Sequence, residues 1–100
     1  MEAPRRPLKV RYRPRAKADI DEIFQYLNER SPSGALHVLS AIADAIDEIG
    51  ANPDAWQATS LPDIRAKTVG RYRYKIFYAA VGDETVEIIH VRHTARRPWT

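Results

Sequence analysis

The stretch GRYRYKIFYAA, residues 70–80, decides how the rest of the chain is read. Its alternation has the period of a strand: Tyr72, Tyr74, Ile76 and Tyr78 fall on one side, and Arg71, Arg73, Lys75 and Phe77 on the other. One side requires a core, while the other is densely cationic. A sheet face that only had to stay soluble can be built from serine, threonine and glutamate, so the positive row asks for a reason.

Working outward, Gly82 and Asp83 in VGDE (81–84) supply a turn, and TVEIIHVRH (85–93) reads as the next strand, antiparallel to the first because so short a turn permits nothing else. The alternation of this last strand does not settle which face is buried, since Val86 and Ile88 lie on one side and Ile89 and Val91 on the other. Upstream, residues 64–69 form a further strand, preceded by the loop ANPDAWQATSLPD (51–63) with its two prolines.

Near the N-terminus Leu8, Val10 and Tyr12 alternate with Lys9, Arg11 and Arg13, a short strand that is again apolar on one side and basic on the other. Pro14 ends it and suits the first turn of a helix, in which Ile20, Ile23, Phe24 and Leu27 form an apolar stripe over about four turns. SPSGA (31–35) breaks and restarts the helix, with Ser31 as cap and Pro32 in the first position. Leu36, Leu39, Ile42, Ala43, Ile46 and Ile49 then share a second helical face, and Gly50 is placed to close it. Two such helices bury too little against each other alone, so their stripes belong on the apolar face of the sheet. The expected fold is α+β: a small antiparallel sheet in the order β-α-α-β-β-β, with a helical hairpin on its N-terminal side packed on one face.

The 100 residues suit one domain, expected over 8–100 after a loose arm of residues 1–7. At 44% hydrophobic and 29% charged, the chain is too apolar for disorder and too charged for a membrane protein. It has no cysteine, which excludes disulfides, thiolate metal sites and a thiol nucleophile, and it has no apolar leader pattern, so the cytoplasm is the expected compartment. The net charge is +3, and all but Lys9, Lys17, Lys67 and Lys75 of the 16 basic residues are arginine, the side chain suited to phosphate and carboxylate forks.

The basic side chains of the first strand and of GRYRYK can share one sheet face, joined by Lys67, Arg92, Arg96 and Arg97, and form a surface that can hold a nucleic-acid backbone or an acidic protein segment, or serve as a plain solvated face. His93 beside Arg92 and near Arg96 is the one arrangement that hints at catalysis, an imidazole moving a proton while guanidinium stabilises charge. A structural ring at the sheet edge is its other reading, and His37 and His90 read as packing or surface residues. Asp19, Asp21, Glu22, Asp44, Asp47 and Glu48 are expected on solvated helical faces, with no histidine pattern for a metal and no glycine-rich phosphate loop. Neither metal nor cofactor is expected.

The ordered set ADIDEIFQYLNERSP (18–32), AIADAIDEIGANP (41–53), LPDIRAKTVGRYRYKIFYAA (61–80) and EIIHVRHTARRPW (87–99) resembles the RelE/ParE superfamily of toxins from bacterial type II toxin-antitoxin systems, from about Lys9 onward. The resemblance implies a growth-inhibiting toxin neutralised by a cognate antitoxin, with operator DNA contacted only through the antitoxin complex. It makes Arg65, Arg71, Arg73, Lys75, Arg92, His93, Arg96, Arg97 and Trp99 the residues expected to meet target or antitoxin.

RelE-branch members cut messenger RNA on the ribosome, with an arginine in the strand that here reads YKIFY and a basic-arginine pair followed by a tyrosine near the C-terminus. Here Lys75 holds the first position, Thr94 follows His93, and the tail ARRPWT has no tyrosine. A histidine, spacer and arginine, His93 and Arg96, look more like the ParE branch, which poisons DNA gyrase without being a nuclease. The alternatives are a divergent ribosome-dependent endoribonuclease built on Lys75, His93 and Arg96, and a relative without toxicity that only forms DNA-binding complexes.

Overall fold

The structure is a computed structural model that describes residues 7–94. In chain order it has β1 (Lys9–Tyr12), α1 (Pro14–Arg30), α2 (Pro32–Ala51), β2 (Gln57–Ala58), β3 (Arg65–Val69), β4 (Tyr74–Val81) and β5 (Thr85–His93), with 3-10 turns at Pro53–Ala55 and Gly70–Tyr72. The strands form one sheet in the order β1-β5-β4-β3-β2. The α+β class and the helical hairpin are as the sequence implies. The β3-β4-β5 meander is antiparallel, but β1 lies parallel to β5, so the sheet is mixed. The connection from β1 to β5 runs through both helices and three strands, long enough to return the chain in the same direction. The two-residue β2, hidden in a proline-bracketed loop, is a further addition.

Ser31 alone joins the helices. Its N–H donates to the Leu27 carbonyl at 2.8 Å, closing α1, and its hydroxyl accepts from the Gly34 N–H at 3.1 Å, opening α2. The buried face of α2 is Ala35, Val38, Ile42, Ala45, Ile46 and Ile49, while Leu36 is 63% exposed and Ala43 is also exposed. The expected stripe is thus rotated: small residues Ala35 and Ala45 let the helix approach the sheet, and their low hydrophobicity hid them beside Leu36. Gly50 does not close α2 but sits within it, against β1. The Leu8 N–H donates to its carbonyl at 2.8 Å, and a Cβ there would lie 3.3 Å from the Leu8 carbonyl oxygen. Asn52 is the C-cap.

The core beneath the hairpin gathers Ile23, Ile42, Ile46 and Ile49 with Val69, Tyr74, Ile76, Tyr78, Val86, Ile88 and Val91. Burial pushes the Tyr78 hydroxyl up to about 12, and this hydroxyl donates to the Pro53 carbonyl at 2.5 Å.

Both faces of β5 are apolar because of a bulge. Phe77 pairs with His90 and Tyr78 with Ile88, leaving Ile89 as the extra residue. Val86, Ile88 and Val91 therefore all enter the helix-side core, while Ile89 joins Ala66 and Phe77 in a small second cluster on the opposite face.

The opening stretch is not one strand. Gly70–Tyr72 is a turn, with Gly70 at φ 33°, and Arg73 takes the left-handed conformation at φ 59° and ψ 31°. Strand geometry begins only at Tyr74, so Arg71 and Arg73 do not continue the Lys75 row, and Phe77 in that row is buried rather than exposed. Arg96, Arg97, Trp99 and residues 1–6 of the expected arm lie outside the described residues.

Candidate functional site

Cross-strand register sorts the candidate residues by face, because paired residues project to the same side. Arg65 pairs with Tyr78 and Lys67 with Ile76, both core residues, so these two cations sit on the helix side. Each is spoken for there. Arg65 Nη1 donates to the Trp56 carbonyl at 2.6 Å, and Lys67 Nζ lies 3.1 Å from Glu48 Oε2 and 3.6 Å above the Trp56 ring centroid. His93 pairs with Tyr74, and the two rings meet edge to face at 5.0 Å, also on the helix-side pleat.

On the opposite face the cations fall at two ends. At one end Arg11 pairs with Glu87 of β5; Arg11 Nε and Nη2 donate to Glu87 Oε2 at 3.2 and 3.0 Å, and Arg13 Nε donates to Oε1 at 2.7 Å. The Arg13 hydrogen bond, followed by that of Arg11, holds the Glu87 carboxyl below its usual range against the opposing effect of burial. At the other end Thr68 pairs with Lys75, and Lys75 with Arg92. Thr68 is exposed, and Lys75 and Arg92 are half-buried. Between the ends lies a row of Ala66, Phe77 and His90, all buried.

The structure thus brings Lys75 and Arg92 together, leaves the exposed Arg73 two residues before Lys75, and sets His93 on the other pleat. The strained backbone of Arg73 is fixed by the next strand, since the Thr94 N–H donates to its carbonyl at 2.7 Å.

Asp19 corrects the expectation of a solvated helical face. It is 8% exposed; its Oδ2 accepts from His90 Nδ1 at 2.5 Å and from the Val91 N–H at 2.9 Å, and its Oδ1 from Arg15 Nε at 3.1 Å. β1 flanks β5 only from Thr85 to Ile88, and Asp19 of α1 takes up the strand's outer hydrogen bonding beyond that point. His90 is likewise buried and stacks on Phe77 with centroids 6.0 Å apart, so this carboxylate–imidazole pair is closed to solvent. It fastens α1 to the bulged strand. The spacing of Ala16, Asp19 and Ile23, three then four residues, was the available signal, since it places Asp19 on the buried stripe of α1. Glu87 was missed because it gains meaning only from its partners across the sheet.

Among the described residues no group of three or more His, Asp or Glu side chains is arranged to hold a metal, and no helix is long and apolar enough to cross a membrane.

Residues 10–98 match the family model described as "ParE toxin of type II toxin-antitoxin system, parDE". No curated protein matches the sequence. Among solved structures, the chromosomal ParDE toxin-antitoxin system from P. aeruginosa is similar over 86% of this chain and 95% of that one, with a TM-score of 0.76 at 20% identity. The toxin-antitoxin complex RelBE2 from Mycobacterium tuberculosis is similar over 90% and 94%, with a TM-score of 0.62 at 19% identity. The isolated E. coli RelE toxin follows the same fold over 90% and 87%, at 0.54 and 15%.

Proposed function

The chain belongs to the ParE toxin family of type II toxin-antitoxin systems, and from that premise we propose that it inhibits growth in the cytoplasm by poisoning DNA gyrase and is neutralised by a cognate antitoxin. The observation that carries the reading over the nuclease one is the split of the candidate catalytic set. Of Lys75, His93 and Arg96, Lys75 projects from one sheet face while His93 packs on Tyr74 on the other pleat, and Arg96 lies outside the described residues. General acid-base chemistry needs the proton-transferring ring and the charge-stabilising cation around one reacting atom. Residues divided between two faces serve instead as contacts. In this reading Arg73, Lys75 and Arg92 meet target or antitoxin, together with Arg71, Arg96, Arg97 and Trp99, and His93 shapes the edge of the surface.

The test pairs two assays on purified, antitoxin-free protein: gyrase supercoiling with cleavage-complex trapping, and messenger cleavage on programmed ribosomes. Gyrase-dependent DNA breakage with intact messenger is the expected result. Ribosome-dependent cutting with unaffected gyrase overturns the proposal in favour of the RelE-like mechanism, and normal growth on expression of the folded protein overturns both.

A further inference from the structure

β1 is an outer strand of the sheet, and its backbone is paired on one side only. The Lys9 N–H donates to the Glu84 carbonyl at 2.8 Å and the Arg13 N–H to the Ile88 carbonyl at 3.0 Å, so alternate residues, Lys9, Arg11 and Arg13, face β5. Val10 and Tyr12 between them direct their N–H and C=O groups the other way. The Leu8 N–H, which points outward with them, is met by the Gly50 carbonyl of α2 at 2.8 Å; among the described residues nothing does the same for Val10 or Tyr12. An unpaired row of this kind is a template for a further strand.

The two sides of that edge differ in chemistry, and the difference selects the occupant. On the helix side Val10 packs against the core. Beside it Tyr12 forms one wall of a groove of about 400 Å³, with Ile20 of α1, Ile42 and Ile46 of α2, and Lys17 and Asp21 as charged lining. The Tyr12 hydroxyl is pushed up by burial and then by the charge of Asp47, so the helix side already carries negative charge and disfavours a second acid. On the far side Arg11 and Arg13 share the single carboxylate of Glu87. Lys9 is exposed, with no carboxylate within ion-pair distance among the described residues, so this side keeps an excess of positive charge. A second copy of the strand would set Lys9 and Arg11 against cations of the same kind, which cross-strand pairing disfavours. We propose that the outer edge of β1 receives an extended segment of a protein partner in which acidic and apolar residues alternate, the acids on the Lys9 side and the apolar residues beside Val10 and Tyr12. The partner's backbone pairs with the N–H and C=O groups of Val10 and Tyr12, and one of its apolar side chains enters the groove. The edge is the same whatever target the toxin attacks, so this docking and the gyrase reading fail in separate experiments.

The test follows amide exchange and amide shifts of the isotope-labelled full chain with three blocked peptides: alternating glutamate and valine, alternating lysine and valine, and the glutamate peptide with its backbone nitrogens methylated. The glutamate peptide should slow exchange at Val10 and Tyr12 about tenfold, while the Lys9 amide, already bonded to Glu84, changes little. Its affinity should exceed that of the lysine peptide about tenfold, and methylation should abolish the protection. Lys9→Glu, at an exposed position that leaves the core untouched, should narrow the preference for the glutamate peptide about fivefold. No protection at Val10 and Tyr12, equal binding of the lysine peptide, or a methylated peptide that binds as well as its parent would overturn the proposal. Shifts confined to the Lys75 end of the sheet would overturn it in favour of an acidic segment seated there, and a preference untouched by Lys9→Glu would overturn the placing of the acids.

Discussion

Two ends of one sheet face carry arginine and lysine in similar alternation, and they do different things. At the β1 end Arg11 and Arg13 close on Glu87, and the positive charge is consumed inside the molecule. At the β3 end Lys75 faces Arg92 across the strands, a cation opposite a cation. A basic row in a sequence is therefore not uniform: some of its cations face a carboxylate across the strand and others face a cation, and the sorting depends on what lies opposite.

The comparison rests on a shared floor, and breaking that floor has the largest expected effect. Ile76 is fully buried in the helix-side core beneath the sheet; Ile76→Ala should destabilise the domain by about 2–5 kcal/mol in urea unfolding, with both ends of the face lost together. A loss well under this range would mean the sheet core is not where the two ends are coupled.

Asp19→Ala comes next. It strands the Val91 N–H and His90 Nδ1 in a buried site, at a cost of about 1–3 kcal/mol, and should speed amide exchange at Val91 before it touches Arg11 or Glu87. Exchange rising equally at both ends would refute a role confined to the bulged strand.

Glu87→Gln sharpens the contrast by making the β1 end resemble the other. Its pairs are with arginines at the surface, so about 0.5–1 kcal/mol is expected at neutral pH. The carboxyl is held below its usual range in the folded state, so its contribution is full above the unfolded value of about 4.3 and fades as pH falls through the lower folded one. The stability gap between wild type and Glu87→Gln should accordingly close in acid. A gap that persists at about pH 2 would assign the effect to shape rather than charge.

The smallest effect is a gain: Arg73→Gly relieves the left-handed strain and should stabilise by about 0.5–1 kcal/mol, while removing a cation beside the Lys75 row. Toxicity that falls although stability rises would mark Arg73 as a contact, and unchanged toxicity would confine that role to Lys75 and Arg92.

Much of the architecture was legible in the chain. Ser31 and Pro32 fixed the junction of the helices, the alternation of residues 85–93 gave β5 its limits, and residues 74–80 announced a strand. Errors gathered where one residue's role depends on another far away. Leu36 looked like core and is exposed, because the sheet meets the neighbouring stripe of α2. Asp19 looked solvated and is buried, because β1 stops short and leaves β5 hydrogen bonds for α1 to fill. Arg71 and Arg73 looked like strand positions, but the chain turns there, and nothing local outside Gly70 marks it.

By itself, then, the sequence determined the order of elements, the class of fold and a surplus of arginine, since periodicity, capping and composition are local properties that need no partner. The tertiary structure decided what each cation faces. That depends on strand register and on the bulge at Ile89: register brings Glu87 to Arg11 and Lys75 to Arg92, and one extra residue lets β5 bury Ile88 and Val91 on one face and Ile89 on the other.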